Sequence, residues 1–261
     1  MSAPAASERS AAREPIVVVT RDEPADGPLS MALRALGLEV LSWPVLRTAP
    51  PADERALREA LARVDEFACL IVTSCHAASA VAERLTRVPS DVRVAAVGPR
   101  TKAALEAHGW RVDLVPAESS AAALGRALAA QLPRGARVLF AAGDRALPTL
   151  ASVLAEQGIE VQQIEAYRTL AVALDVERCR AQIEGERIGA VTFTSPSAVL
   201  ELDEALGPAY FDRLLSRARS VALGPTTGRA LAARGYAATL AEPTTLAGLA
   251  ATTFRLLETR I

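Results

Sequence analysis

Two stretches of this sequence decide its fold, Leu70-Ile-Val-Thr-Ser74 and Ala190-Val-Thr-Phe-Thr-Ser195. Each is a short apolar run that ends in Thr-Ser and precedes a helical pattern, at residues 77–85 and 197–206. A buried strand that opens into a helix through small hydroxylated residues is typical of the ligand-facing edge of an α/β fold, because a helix start leaves N–H groups that can hold anions. Two such corners predict two similar domains with a ligand between them.

The two stretches belong to a long internal repeat. Gly37 and Gly158 are 121 residues apart, and the same separation relates Ser74 to Ser195. Later in the chain the separation grows to 126, which predicts a small insertion near residues 207–212. The period is too long for a solenoid and fits a duplicated domain.

Apolar strand patterns alternate with helical patterns of about ten residues along the chain, which predicts parallel sheets with right-handed crossovers. Residues 111–115 and 237–240 predict short additional strands in the two halves. In such a fold the ligand lies beyond the carboxyl ends of the strands.

Composition excludes several classes of protein. A net charge of −1 argues against a nucleic-acid partner, and no apolar run reaches the roughly 20 residues of a membrane span. Three cysteines, an odd number, and two histidines without zinc-type spacing predict a reduced, cytoplasmic protein with no metal site. Residues 1–14 lack the apolar centre of a signal peptide and predict a disordered tail.

A Gly-Pro-x-Thr motif occurs twice, at residues 98–101 and 224–227, each time after a strand pattern. One interpretation is a turn and a helix start only, since Pro suits the first helical turn and Thr can cap it. The recurrence at two strand ends favours an additional role, in which backbone N–H groups and the Thr hydroxyl contact an anion.

The two Thr-Ser corners predict helix caps whose oxygens can also contact a ligand. A serine nucleophile is disfavoured, because neither Ser74 nor Ser195 lies in a Gly-x-Ser-x-Gly elbow. His76 is the one histidine close to either serine in sequence, and it is more typical of an exposed residue in a first helical turn.

Tyr167 is one of three tyrosines, and two interpretations of it remain open. It is either a packed aromatic on an extended segment or a phenol that donates a proton to a ligand. The sequence contains neither a GxxxxGK[ST] loop nor a GxGxxG fingerprint, so a nucleotide cofactor is not indicated.

Eight short pieces occur in a fixed order across residues 15–257. They are Val18-Val-Thr-Arg21, Leu36-Gly-Leu-Glu-Val40, Thr73-Ser74, Val94-Ala-Ala-Val-Gly-Pro-Arg-Thr101, Gly143-Asp-Arg145, Glu165-Ala-Tyr-Arg-Thr169, Phe193-Thr-Ser-Pro-Ser-Ala198 and Leu223-Gly-Pro-Thr-Thr227. With this order and spacing the chain resembles the uroporphyrinogen-III synthase family.

The resemblance implies an α/β protein of two similar doubly wound parallel-sheet lobes joined by a two-stranded linker. Lobe one would comprise residues 15–41 and 172–261, and lobe two, inserted into it, residues 49–161. The linker strands would be residues 41–48 and 162–171.

The resemblance also implies an activity. The enzyme would be a hydro-lyase that cyclises and dehydrates hydroxymethylbilane, with inversion of the last pyrrole ring, to give uroporphyrinogen III. It would use no metal and no organic cofactor. It would be a cytoplasmic monomer in transient contact with hydroxymethylbilane synthase, with no nucleic-acid or membrane partner.

By the same resemblance, the catalytic residues near the reacting centre would be Thr101, Tyr167 and Thr227. The substrate carboxylates would contact Arg21, Thr73, Ser74, Gly98, Thr194, Ser195, Ser197, Gly224 and Thr226. Cys75-His76 departs from the smaller or amide residues that usually follow Thr-Ser in this family.

Two rival functions are a tetrapyrrole-binding sensor of the same fold that has lost turnover, and a periplasmic-type binding protein for sugars or amino acids. The retained Tyr167 argues against the first, and the missing signal peptide against the second. Function has to be argued from the site, since the fold alone supports all three hypotheses.

Overall fold

The structure is a computed structural model that describes residues 15–185 and 187–258. The chain forms two compact units. Unit one comprises the described residues up to Arg47 and from Ala171 onward, and unit two comprises Thr48–Leu170. The predicted disordered tail, residues 1–14, lies outside the described residues.

Strands and helices alternate along the chain. The first half contains β1 (Ile16–Arg21), α1 (Pro28–Ala35), β2 (Glu39–Ala49), α2 (Glu54–Ala62), β3 (Cys69–Val72), α3 (Cys75–Ala82), β4 (Arg93–Ala96), α4 (Pro99–Ala107) and α5 (Ala121–Ala129). The second half contains β5 (Arg137–Gly143), α6 (Thr149–Glu156), β6 (Glu160–Ala171), α7 (Val176–Gly185), β7 (Ile188–Phe193), α8 (Pro196–Leu206), α9 (Pro208–Leu215), β8 (Arg219–Ala222), α10 (Pro225–Ala232), β9 (Thr239–Leu240) and α11 (Leu246–Glu258).

Each unit contains a parallel sheet. The strand order is β2-β1-β7-β8-β9 in unit one and β4-β3-β5-β6 in unit two, and neighbouring strands run parallel within each unit. The α/β fold with parallel sheets flanked by helices, expected from the sequence, is therefore confirmed.

Helices cover both faces of each sheet, which explains the uninterrupted apolar runs of the strands. In β3, Leu70 and Val72 pack into the core beneath α2, α3 and α4, whereas Cys69 and Ile71 pack into the core beneath α5 and α6. Successive residues of a strand point to opposite faces, and helices cover both faces here, so all four side chains are fully buried. Burying a Leu, Ile or Val side chain contributes roughly 1.5–3 kcal/mol.

The same alternation organises unit one. In β1, Val18 faces the core formed with α7 to α10, while Val17 and Val19 face α1 and α11. Two buried hydroxyls join β1 to β7: Thr20 donates to the carbonyl of Thr192 at 2.8 Å, and Thr192 donates to that of Val18 at 3.0 Å.

The predicted insertion near residues 207–212 is a real structural element. Helix α9 occupies Pro208–Leu215 in unit one, and its buried Phe211 and Leu214 extend the core beneath α8. Helix α3 of unit two is followed by no such helix before β4. The larger separation of the repeat after α8 therefore reflects an extra helix.

The predicted strand at residues 111–115 is wrong. Only an isolated bridge between Ala95 and Leu114 forms there. Instead, the side chain of Asp113 accepts a hydrogen bond from the backbone N–H of Val94 at 2.9 Å, and the backbone N–H of Asp113 donates to the carbonyl of Val94 at 2.8 Å. A carboxylate thus takes the place of a backbone carbonyl beside β4, whereas residues 239–240 of unit one do form β9.

Among the described residues, no helix combines the length and the apolar character that crossing a bilayer requires.

The Asp113 contact predicts a pH-dependent stability. Burial alone would raise the pKa of Asp113, but the Val94 hydrogen bond and the pairing with Arg111 outweigh it and hold the pKa below its ordinary value of 3.8. The carboxylate therefore stabilises the fold above about pH 3.8, and this contribution is lost as the pH falls through the lower pKa of the folded state. Asp113→Ala should lower the Tm at pH 7, and the difference from the parent chain should shrink below about pH 3.8.

Thermal melts at several pH values between 7 and 3 would measure this difference. Glu106→Ala is the matched control in the same unit, because Glu106 forms only an exposed pair with Lys102 at 3.6 Å and should change the Tm little. A Tm difference for Asp113→Ala that stays constant over the whole pH range would contradict the assignment.

Candidate active site

In unit two, the carboxyl ends of β3 and β4 carry the first group of predicted site residues. Thr73 follows β3, and Ser74 caps α3 by accepting a hydrogen bond from the backbone N–H of Ala77 at 3.1 Å. Gly98 precedes α4, and Thr101 lies buried in the first turn of that helix. These hydroxyls and first-turn N–H groups are donors suited to an anion.

Gly98 lies in a close contact with Ser119. A Cβ at this position would lie 2.7 Å from the hydroxyl oxygen of Ser119. Its backbone is extended, with φ at −170°, so the restriction comes from space alone. A side chain at position 98 would therefore force Ser119 to move.

Unit one repeats this arrangement at the ends of β7 and β8. Ser195 follows Thr194 and caps α8, accepting a hydrogen bond from the backbone N–H of Ala198 at 3.2 Å. Ser197, in the first turn of α8, is half-buried. Gly224 precedes α10, but a Cβ there would make only an ordinary contact of 3.5 Å.

The two threonines that follow Gly224 differ in exposure. Thr227 is buried in the first turn of α10, as Thr101 is in α4. Thr226 is exposed, and its hydroxyl accepts a 3.5 Å contact from Arg229. Of these two threonines, Thr226 is therefore the one that solvent reaches.

Arg21, at the end of β1, is already engaged by a carboxylate. Its Nε lies 3.2 Å from Glu23. The Glu23 side chain, which is almost fully buried, also accepts hydrogen bonds from the backbone N–H groups of Ser30 at 2.6 Å and Leu29 at 3.3 Å. Glu23 thus holds the start of α1 and reduces the charge that Arg21 can offer to a ligand.

Tyr167 lies on β6, level with the end of β5, where it pairs with Gly143. Its half-buried side chain packs against the core of unit two, and its ring lies 5.4 Å from the ring of His76 at an interplanar angle of 49°. The same ring borders an open pocket of about 240 Å³ that is also lined by His76, Ser79 and Arg84. Tyr167 is therefore packed on one side and borders an open pocket, and both interpretations of this residue stay open.

Cys75-His76, the departure from the family pattern, forms the start of α3. The Cys75 Sγ lies 3.6 Å from the carbonyl oxygen of Arg100 and so connects the beginnings of α3 and α4. His76 is exposed, as expected, but sequence reasoning missed its contact with Tyr167. The two residues are distant in sequence, and no local pattern signals the contact.

The other two cysteines are not candidate nucleophiles. Burial raises the pKa of Cys69 to about 12 and that of Cys179 to about 11, so both thiols stay protonated near neutral pH. Within residues 15–185 and 187–258, no three His, Cys, Asp or Glu side chains are grouped as a metal site would need.

The structure thus gathers the predicted residues in two sets, one in each unit. Unit two holds Thr73, Ser74, Gly98, Thr101 and Tyr167, and unit one holds Arg21, Thr194, Ser195, Ser197, Gly224, Thr226 and Thr227. Both sets contain helix starts with hydroxyl and backbone donors, and Tyr167 is the one predicted residue that can donate a proton from a phenol.

Comparison with known proteins identifies what the chain resembles. The family described as "Uroporphyrinogen-III synthase HemD" matches residues 27–251. The uroporphyrinogen-III synthase of Synechococcus elongatus is 31% identical over 202 residues, which is 70% of this chain and 71% of that protein. The synthase of Chlorobaculum parvum is 26% identical over 84% of this chain and 89% of its own length.

Solved structures share the fold. A mutant uroporphyrinogen III synthase from Thermus thermophilus superposes with a TM-score of 0.70 at 19% identity, over 94% of this chain and 99% of that one. The enzyme from Helicobacter pylori gives a TM-score of 0.62 at 19% identity, over 93% and 99% of the two chains. Together with the sequence match over most of its length, these results show that the chain belongs to the uroporphyrinogen-III synthase family.

Proposed function

We propose that this protein converts hydroxymethylbilane into uroporphyrinogen III as a hydro-lyase, closing the ring with loss of water and inversion of the last pyrrole. The observation that carries the proposal is the half-buried Tyr167 at the border of an open pocket, in a member of this synthase family whose strand ends carry hydroxyl and amide donors. The relatives described above are named as synthases, and none of those names supports the sensor alternative.

The residues suit a substrate with eight carboxylates. Helix-start N–H groups and the hydroxyls of Ser74, Ser195, Ser197 and Thr226 can hold carboxylates with moderate strength, so that the product is still released. We assign Thr73, Thr194, Gly98 and Gly224 to the same role through their backbone groups. Arg21 is the weakest member of this set, because Glu23 already pairs with it.

Loss of the terminal hydroxyl requires a proton, since hydroxide is a poor leaving group and water a good one. We assign this proton to the phenol of Tyr167. The buried hydroxyls of Thr101 and Thr227 would lie near the reacting centre and stabilise charge there. The remaining acceleration would come from holding the two chain ends of the substrate together, which favours closure at the substituted carbon.

The proposal includes a cellular setting. All three cysteines are free thiols, which suits the reducing cytoplasm. The protein would act as a monomer, and its partner would be hydroxymethylbilane synthase in a transient contact. Such a contact would shorten the time in which the linear substrate can close without the enzyme.

Product identity is the first test. Hydroxymethylbilane is generated in situ by its own synthase, this protein is added, and the oxidised uroporphyrin isomers are separated by chromatography. We expect mostly isomer III. A mixture no richer in isomer III than a control without this protein would contradict the proposed function, because isomer I is the spontaneous product.

The second test concerns the proton donor. Tyr167→Phe keeps the ring and its packing but removes the hydroxyl, so the Tm should be unchanged while kcat falls by about 100-fold, the lower end of the range for general acids. Formation of isomer III under saturating substrate measures kcat, and thermal melting measures stability.

Tyr210→Phe is the matched control for the loss of a phenol hydroxyl. Tyr210 lies on α9, and its hydroxyl contacts Glu184 at 3.4 Å, so its removal should leave kcat unchanged. Turnover of Tyr167→Phe equal to that of the parent chain, at equal Tm, would refute the proton-donor role.

A further inference from the structure

Gly143, at the end of β5, lies so close to Tyr167 that no side chain at position 143 would fit without a displacement. A Cβ added to Gly143 would lie 2.7 Å from the Cζ of Tyr167, 2.8 Å from its hydroxyl oxygen and 3.1 Å from its Cε1. Contacts below 3.0 Å force a displacement. The two atoms that would lie this close to the added Cβ, the Cζ and the hydroxyl oxygen, form the hydroxyl end of the Tyr167 side chain. Even the smallest side chain at position 143 would therefore displace the phenol itself.

A β-bulge at the same place sets the direction of the ring. Ala142 pairs with Glu165, but the next residue, Gly143, pairs with Tyr167, so Ala166 is an extra residue on β6. Ala166 is fully buried in the core of unit two. Because successive side chains of a strand point to opposite faces, one inserted residue changes the face that the following side chain takes.

Asp144 holds this bulge from two sides. Its backbone N–H donates to the carbonyl of Tyr167 at 3.1 Å, and its side-chain Oδ1 accepts from the backbone N–H of Thr169 at 2.9 Å. Hydrogen bonds to Asp144 thus fix the backbone at the carbonyl of Tyr167 and at the N–H of Thr169, two residues further along β6. The ring is then limited by Gly143 beneath its hydroxyl end.

Unit one shows which part of this arrangement is inherited. Its β1 and β2 also change register at the corresponding place, between Val19 and Arg21, where Arg21 pairs with Leu46. There β2 gains two residues over β1, because Val19 pairs with Ser42 and Arg21 with Leu46, so a register change is common to both units but the one-residue bulge is a feature of unit two. The combination of a glycine and a tyrosine across it occurs in unit two, whereas unit one has an arginine and a leucine at those positions.

We propose that Gly143 and Asp144 are positioning residues for Tyr167: Gly143 leaves the space that the phenol occupies, and Asp144 fixes the bulge that aims it. The proposal rests on the proposed function, because it takes the hydroxyl of Tyr167 as the proton donor. Neither residue needs to touch the substrate for this role.

The first test observes the ring directly. The protein is labelled with 3-fluorotyrosine, and its three tyrosine signals are assigned by fluorine NMR of the Tyr→Phe variants. Gly143→Ala should shift the Tyr167 signal and leave those of Tyr210 and Tyr236 in place. An unchanged Tyr167 signal in Gly143→Ala would overturn the proposal, whatever the activity of the variant.

Gly125→Ala is the matched control for steric strain in the same unit. A Cβ there would lie 2.8 Å from the Cγ1 of Val153, between α5 and α6, and the three heavy atoms nearest to it belong to Val153 and Leu150. Gly125→Ala should lower the Tm but leave the Tyr167 signal and kcat unchanged. A shift of the Tyr167 signal as large as that in Gly143→Ala would show a general loss of packing and overturn the specific role.

The second test is kinetic. Displacing a reacting group by about 1 Å can cost about 100-fold in rate, so Gly143→Ala should lower kcat roughly 10- to 100-fold and change KM little. In the Tyr167→Phe background, where no hydroxyl remains to be aimed, the same substitution should lower kcat less than about twofold. If the kcat losses of Gly143→Ala and Tyr167→Phe simply multiply in the double variant, Gly143 acts independently of the phenol, and its positioning role is refuted.

The third test separates the hydrogen bond of Asp144 from its charge. Asp144→Ala removes the acceptor for Thr169, so it should shift the Tyr167 signal and lower kcat, whereas Asp144→Asn keeps an acceptor oxygen and should restore both. An Asn variant as impaired as the Ala variant would overturn the proposed role of the hydrogen bond. If instead Tyr167→Phe retains full turnover, the proposed proton donor fails, and the fluorine signal alone still decides whether Gly143 and Asp144 orient the ring.

Discussion

Helices on both faces of each sheet are the constraint on which this structure depends. A strand such as β3, buried on both sides, presents no side chain to solvent or to a ligand, so the groups that can contact a ligand are confined to the residues just after it. Thr73 and Ser74 are those residues in unit two, and Thr194 and Ser195 are their counterparts in unit one. The same packing that excludes water from the strands therefore collects hydroxyls and helix starts at the strand ends.

The strands, helices and strand-end motifs could be predicted because they depend on local patterns of apolar, capping and turn residues. Contacts that depend on register could not. The tilted ring contact between His76 and Tyr167 and the close approach of Gly143 to Tyr167 both lie beside a one-residue bulge, which no sequence pattern predicts. The strand predicted at residues 111–115 is wrong for a related reason, since Asp113 uses its carboxylate where a backbone group was expected.

Duplication has preserved the framework of the two units while their chemistry has diverged. A Cβ at Gly98 would lie 2.7 Å from the hydroxyl oxygen of Ser119 and would displace it, whereas Gly224 has room for a methyl group. The register change is followed by Tyr167 in unit two and by Leu46 in unit one, where the neighbouring Arg21 is paired with Glu23. A framework present twice thus carries similar hydroxyl and N–H donors at both sets of strand ends, and of the predicted site residues only unit two holds a tyrosine.

The carboxylate of Asp113 also covers part of an outer strand of the sheet. Strand β4 is the last strand of its sheet, and an outer strand with open N–H and C=O groups can add a strand from another molecule. The Asp113 side chain occupies the N–H of Val94, and its negative charge stands where an incoming chain would pair. Protonation in acid removes that charge, and the edge of β4 is then covered by the backbone groups of Asp113 and Leu114 alone, which bond to Val94 and Ala96.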